Sequence, residues 1–71
     1  MERNRVNSST ISSIGYDQSS NILEIEFKTG NIYQYINIPY QTYLGLLQAS
    51  SHGKYFDKYI KNGGYSFLKI K

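Results

Sequence analysis

Three segments of the chain alternate apolar and polar residues, which is the period-2 pattern of half-buried β-strands. The clearest is 22–27, Ile-Leu-Glu-Ile-Glu-Phe, and a similar run follows at 32–36. A further strand is predicted at 10–16, where Ile14 and Tyr16 fall on one face. Clusters of turn-forming residues separate the three runs. The pattern therefore predicts a three-stranded antiparallel sheet.

The loop between the second and third predicted strands decides which face carries Tyr33 and Tyr35. A two-residue loop ending at Gly30 would place both tyrosines on the face of Glu24 and Glu26. A three-residue loop, with Gly30 left-handed in a bulge, would place them with the apolar residues of the second strand. We favour the three-residue loop because glycine occupies its third position and because the rings then join the core.

Helical periodicity begins at Pro39, which suits the first turn of a helix because proline has no N–H to leave unpaired. A helix is predicted over 39–48, and Ser51 can cap a second helix over 52–61. A short final strand is predicted at 65–70. The apolar stripe of the first helix comprises Tyr40, Tyr43, Leu44 and Leu47. Sheet on one side and helices on the other make a two-layer α+β domain.

The composition is that of one small domain, 1–71, whose polar start at residues 1–7 is expected to be frayed. The chain has no cysteine, so it has no disulfide and no thiolate ligand for a metal. Apolar runs such as Ile22-Leu23 are too short to cross a bilayer, and the N-terminus lacks the apolar core of a signal peptide. We therefore expect a cytoplasmic protein that makes no contact with a membrane.

Catalysis is not expected from these residues. The chain has one histidine, so no histidine cluster can hold zinc or another transition metal. Glu24 and Glu26 point the same way on a strand, as paired carboxylates for acid–base work would, but a solvated strand face is the commoner explanation. No nucleophile motif such as Gly-x-Ser-x-Gly is present. We therefore expect a non-enzymatic binding protein with no cofactor and no metal.

The positive charge is concentrated in the second half of the chain, where five lysines face one aspartate. Lys54, Lys58 and Lys61 recur at i, i+4 and i+7, so on a helix they form either a phosphate-binding stripe or an ordinary solvated face. Ser51 precedes Lys54 at the predicted helix start, which suits an anion site or a simple N-cap.

Eight tyrosines supply the aromatic component. Tyr33, Tyr35 and Tyr40 are candidates for stacking on bases, and the alternative for each is core packing. We expect Tyr35 and Tyr40, near the junction of strand and helix, to be the more exposed. Tyr43 and Tyr33 are expected in the core.

An ordered set of short motifs, spanning roughly residues 5–65, resembles the KTSC domain. The motifs are Val6-x-Ser8-Ser9-x-Ile11, Ile14-Gly15-Tyr16-Asp17, Leu23-x-Ile25-x-Phe27-x-x-Gly30, Tyr33-x-Tyr35, Ile38-Pro39 and Ala49-Ser50-x-x-Gly53-x-Tyr55-Phe56. The family is named for its place at the C-terminus of some lysyl-tRNA synthetases and also occurs as separate bacterial and phage proteins. The resemblance implies no catalytic residues, and the synthetase context suggests RNA binding.

Two functions follow as expectations. The first is a nucleic-acid-binding module, for RNA, in which lysines hold phosphates and tyrosines stack on bases. The second is a small phage or mobile-element factor that sequesters a nucleotide-like ligand or inhibits a host protein. A homodimer would bury further apolar surface of so small a domain. The candidate binding residues are Tyr33, Tyr35, Tyr40, Ser51, Lys54, Lys58 and Lys61.

Overall fold

The computed structural model describes residues 1–71 and confirms an α+β domain with two helices and an antiparallel sheet. The sheet has five strands, where three were predicted, in the order β1-β2-β3-β4-β5. The strands are β1 (Asn4–Arg5), β2 (Ile11–Asp17), β3 (Ile22–Phe27), β4 (Ile32–Tyr35) and β5 (Phe67–Lys69). The helices are α1 (Tyr40–Gln48) and α2 (His52–Phe56), and α2 continues into a π-helical turn, Asp57–Lys61. No helix has the length and apolar character that crossing a membrane requires.

The two additional strands come from the chain termini. Asn4 pairs with Ile14, so the prediction of a frayed segment at residues 1–7 is wrong. The predicted final strand is shorter than 65–70, and it joins the same sheet by pairing Phe67 with Tyr35. Both strands have only two or three residues, and their pairing is tertiary, so the local pattern did not show their place in the sheet.

The three-residue loop between β3 and β4 is confirmed. The backbone N–H of Phe27 donates to Asn31 O at 2.9 Å, and Gly30 has a φ of 95°. Leu23 therefore pairs with Tyr35, and the two tyrosines of β4 share the face of the apolar residues of β3. This register places their rings on the side of the sheet that the helices cover.

A β-bulge in β2 brings two isoleucines of odd spacing into one core. Ile11 pairs with Phe27 and Ile14 pairs with Ile25, so three steps along β2 match two steps along β3. Both isoleucines are fully buried as a result. Strict alternation would have put one of them on the opposite face.

The helices cover one face of the sheet with Leu46, Phe56 and Ile60. In α1 the buried leucine is Leu46, and the predicted Leu47 is 37% exposed. The segment carries two overlapping apolar stripes, and packing selects between them. The hydroxyl of Tyr55 on α2 donates to Thr42 O at 3.1 Å, which joins α2 to α1 in the arrangement that buries Leu46.

The outer face of the sheet carries a polar cluster rather than the solvated carboxylates that the sequence indicated. Glu24 is 6% exposed and forms an ion pair with Arg3 of the N-terminal segment. Gln34 donates to the same carboxylate at 2.7 Å, and the Ser13 hydroxyl donates to Glu26 at 2.8 Å. The N-terminal segment thus covers Glu24 and supplies its charge partner.

Gly15 lets the N-terminal segment lie against the sheet. A Cβ built at Gly15 would overlap Glu2 O and would lie 2.9 Å from Arg3 Cγ. Burial acts to raise the pKa of Glu24, but the hydrogen bonds from Gln34 and Arg3 and the charge of Arg3 outweigh it, so the pKa is lowered. The ionised carboxylate is therefore the form that the fold stabilises.

The second helix begins as the sequence predicted. The hydroxyl of Ser51 accepts from Lys54 N at 3.3 Å, which is the N-cap interaction. The helix widens at its end, where Asn62 N donates to Asp57 O at 3.2 Å, five residues back. The helical segment still ends at Lys61, and its wider last turn changes the direction in which the final lysine leaves the helix.

We expect Glu24→Gln to lower the free energy of unfolding at neutral pH by about 1–3 kcal/mol, because it removes a charged hydrogen-bonding partner from a buried position. The folded pKa of Glu24 is lower than its ordinary value of 4.5, so this stabilisation is complete above that pH and is lost as the pH falls through the folded pKa. Urea unfolding of the wild-type protein and of Glu24→Gln at neutral pH and at about pH 2.5 measures this stabilisation. The difference in the free energy of unfolding between the two proteins should be smaller in acid. Glu26→Gln, which removes no ion pair, is the control. An equal difference at both pH values would contradict this role for Glu24.

We expect Ser51→Ala to lower the free energy of unfolding by about 1 kcal/mol, because Lys54 N loses its cap acceptor. Ser50→Ala is the matched control, since Ser50 is exposed and its hydroxyl makes no hydrogen bond within the protein. Thermal or urea unfolding measures both variants. Equal losses in the two would show that the cap is not what stabilises the helix start.

Candidate functional site

Three concavities surround α2 and join into one surface. The polar cleft has a volume of about 410 Å³, the aromatic cavity about 520 Å³ and the lysine groove about 260 Å³. The polar cleft shares Thr10 and Asp57 with the aromatic cavity. It shares Ser50, Ser51 and Lys54 with the lysine groove. The polar cleft therefore adjoins each of the other two concavities.

The polar cleft lies between the segment before β2 and the start of α2, and no apolar residue lines it. Its residues are Asn7, Ser8, Ser9, Thr10, Ser50, Ser51, His52, Gly53, Lys54 and Asp57. The Ser8 hydroxyl accepts from Thr10 N and Ile11 N, both at 3.2 Å, and this turn leads the chain into β2. Hydroxyl groups lie on both walls, and Lys54 lies on the α2 wall, which is a chemistry suited to phosphate oxygens.

Close packing holds the two walls of the polar cleft together. A Cβ at Gly53 would lie 3.2 Å from the Thr10 hydroxyl oxygen, so glycine allows α2 to pass close to the start of β2. The Nδ1–H of His52 donates to Leu46 O at 2.8 Å, which joins the start of α2 to α1.

The aromatic cavity lies between the helix side of β4 and β5 and the end of α2. Its residues are Thr10, Phe27, Tyr33, Tyr35, Phe56, Asp57, Lys61, Asn62 and Phe67. The ring of Tyr35 is stacked on that of Tyr33, with centroids 6.3 Å apart, and meets Phe56 edge-on at 5.3 Å. Phe67 of β5 lies 5.7 Å from it on a third side. Tyr35 is only 7% exposed, so its predicted exposure is wrong.

The Tyr35 hydroxyl has no hydrogen-bond partner within the protein, although its ring is buried. Every fully buried side-chain oxygen or nitrogen does have a partner, so the hydroxyl oxygen of Tyr35 is accessible to solvent, and Tyr35 is one of the residues that line the cavity. Burial, with a smaller contribution from Tyr33, raises the pKa of Tyr35 to about 12. The group is therefore a neutral hydrogen-bond donor throughout the physiological range.

The lysine groove runs from the end of α1 along α2 and the π-helical turn. Lys54 and Lys58 line it together with Tyr55 and Tyr59. The Lys58 ammonium lies 5.2 Å from the centre of the Tyr59 ring, a cation–π contact. Tyr59 is 48% exposed, so the groove presents both a cation and an aromatic face to solvent.

The three lysines do not form the single stripe that the sequence predicted. Lys54 and Lys58 share the lysine groove, whereas Lys61, the last residue of the π-helical turn, lines the aromatic cavity. Asp57 lies between them, lining both the polar cleft and the aromatic cavity, and is the one carboxylate along the surface. No group of three or more histidine, aspartate or glutamate side chains is placed to hold a metal ion.

Tyr40 is the one candidate residue that lies away from this surface. Its ring packs 5.9 Å from Tyr16 and 6.0 Å from Tyr43, and it lines none of the three concavities. Its predicted exposure is correct, at 40%. Tyr43 is half-buried and stacks on Tyr16 at 4.5 Å, and the Tyr16 hydroxyl donates to Ile38 O at 2.6 Å. This second tyrosine group therefore stabilises the start of α1.

Several residues of the surface were not among the candidates. Ser8 and Thr10 line part of the polar cleft. The paired serines of the first KTSC-like motif, Ser8 and Ser9, could have indicated this part of the cleft. Phe67 forms a wall of the aromatic cavity, and only the pairing of β5 with β4 brings it there. Asn62 reaches the same cavity as the residue that ends the helix.

Comparison with known proteins identifies the family. The KTSC domain matches residues 7–65. A crystal structure of a KTSC domain protein from Yersinia pestis is 38% identical, covers 99% of this chain and superposes with a TM-score of 0.93 over 97% of its own chain. A protein from Stutzerimonas stutzeri is 37% identical over 99% of both chains. A lysine–tRNA ligase from Nostoc punctiforme is 37% identical over 87% of this chain, which corresponds to 11% of the ligase. The chain therefore belongs to the KTSC domain family.

Proposed function

We propose that this protein binds single-stranded RNA in the cytoplasm, without catalysis, along the surface formed by the lysine groove, the polar cleft and the aromatic cavity. The observation that carries the proposal is the convergence of six of the seven candidate residues on these connected concavities. The six residues are Tyr33, Tyr35, Ser51, Lys54, Lys58 and Lys61.

The chemistry of the three concavities matches the repeating parts of a strand of RNA. Aromatic faces stack on unpaired bases, and lysines neutralise phosphates. Hydroxyls of the polar cleft, such as that of Ser50, can donate to phosphate or to the 2′-hydroxyl of ribose. A double helix keeps its bases stacked inside, so a surface with concave aromatic walls favours a single strand.

The charges along the surface favour a polyanion, with one local exception. Lys54, Lys58 and Lys61 are exposed and make no ion pair, since the ion pair of the molecule joins Arg3 to Glu24. The negative charge of Asp57 would repel a phosphate at the junction of the polar cleft and the aromatic cavity. We therefore place phosphates beside the lysines and a sugar or base at the junction.

The relatives support an RNA ligand. The chain is similar to a segment of lysine–tRNA ligases, and the name of these enzymes includes tRNA, which is an RNA. A domain that occurs within such an enzyme and also as a separate small protein suits a binding module. The whole ligase is far larger, so its catalysis is no part of this proposal.

We expect binding of a single-stranded oligoribonucleotide to weaken about 20-fold between roughly 50 and 200 mM salt, because three contacted phosphates give a slope of about −2 in log affinity against log salt. Lys54→Gln, Lys58→Gln and Lys61→Gln should each reduce that slope by about 0.7. Fluorescence anisotropy with a labelled strand measures both.

The matched control is Arg5→Gln, which removes one positive charge from an exposed position on β1, at the far edge of the sheet. If it lowers the slope as much as the lysine variants do, binding is a general effect of net charge and the proposed surface is wrong. Absence of binding at low salt would contradict the function itself.

A mononucleotide-like ligand is the second candidate, favoured by the size of the aromatic cavity. At about 520 Å³ it falls within the range of small-molecule pockets. In a thermal-shift series, a dedicated nucleotide would raise the midpoint as its concentration passes its Kd. An RNA surface would respond to the oligoribonucleotide and weakly to mononucleotides, so the two series separate the candidates.

A further inference from the structure

We infer that the aromatic cavity receives a single unpaired base of the RNA strand, and that the Tyr35 hydroxyl donates a hydrogen bond to a carbonyl oxygen on the edge of that base. The inference rests on the proposed function and specifies which part of the ligand the cavity takes. The lysine groove and the polar cleft then hold the backbone on one side of this base.

The first observation is the unpartnered hydroxyl at the end of a buried ring. Tyr35 is 7% exposed and packs against three other aromatic rings, yet its hydroxyl makes no hydrogen bond within the protein. A phenylalanine would fill the same core position, so packing alone does not require the hydroxyl. Placed in the cavity, the hydroxyl supplies one directed polar contact in an otherwise aromatic wall.

The second observation is the shape of the walls. Tyr33 and Phe27 meet edge-on at 5.8 Å, and Phe67 is tilted against Tyr33 at the same distance. Phe67 is 57% exposed, so one of the walls is an aromatic face open to solvent on an edge strand. A planar base that enters the cavity would cover this face and recover stacking energy.

The third observation is the polar rim. Lys61 lines the cavity, so an ammonium is available to the phosphate of the bound nucleotide. Asn62 donates from Nδ2 to Asp57 O at 2.8 Å, which fixes its amide and leaves Oδ1 as a free acceptor. The rim therefore contains a cation together with amide and carboxylate oxygens. These oxygens can accept hydrogen bonds from the hydroxyls of a sugar and from the N–H groups of a base.

The donor at Tyr35 sets a preference among bases. Uracil, cytosine and guanine each present a carbonyl oxygen, whereas adenine presents only ring nitrogens as acceptors. With the pKa of Tyr35 at about 12, the donor is retained at every pH at which RNA is stable. The preference for uridylate over adenylate is therefore expected not to change across the neutral range.

The test compares an oligouridylate with an abasic strand of the same length and charge. We expect the abasic strand to bind more weakly, and Tyr35→Phe to weaken oligouridylate binding by about 2- to 10-fold while leaving the abasic strand unchanged. Tyr40→Phe is the matched control, because Tyr40 is exposed and lies outside the cavity. In wild-type protein, NMR shifts on adding oligouridylate should centre on Tyr35 and Phe67.

The outcomes separate this inference from the proposed function. If both strands bind with the same salt dependence and Tyr35→Phe changes neither, the RNA surface stands and the base site is overturned. If neither strand binds, the proposed function fails, and free uridine becomes the probe. Shifts centred on Tyr35 would then support base recognition by itself, and no response would overturn it. A Tyr35→Phe protein that does not fold leaves the abasic comparison and the wild-type shifts to decide.

Discussion

The pairing of Leu23 with Tyr35 is the constraint on which the rest of the molecule depends. Strand side chains alternate between faces, so a slip of one residue would send both tyrosines of β4 to the outer face. The core would lose the ring that packs against Phe56, and the aromatic cavity would lose two of its walls. A bulge at Gly30 thus sets the stability of the sheet and the character of the proposed site together.

The helical layer supplies most of the polar and charged residues of the surface, and it contacts the sheet where α2 passes the start of β2. The start of α2 passes close to Thr10, where the segment before β2 enters the sheet. Thr10 and Asp57 are consequently shared by two concavities, so the cleft of hydroxyls and the cavity of rings are neighbours. The first and last of the KTSC-like motifs, which lie apart in sequence, meet at this cleft.

The sequence predicted the three central strands, the loop register and the cap at Ser51, because each depends on residues close together in the chain. It did not predict β1, the place of β5 in the sheet or the burial of Tyr35, because these depend on contacts between distant segments. Phe67 covers Tyr35 only after β5 has paired with β4. The choice of Leu46 over Leu47 likewise follows from how α1 meets α2. For the candidate site, the sequence predicted most of the residues, but it did not predict how they are divided among the three concavities.

The ion pair between Arg3 and Glu24 holds the N-terminal segment on the outer face of the sheet. The chain reaches β1 across the outer face of the sheet, whereas the three concavities open around α2 on the other side. A segment joined ahead of Met1 would therefore enter the domain at the outer face of the sheet, opposite the face that the helices cover.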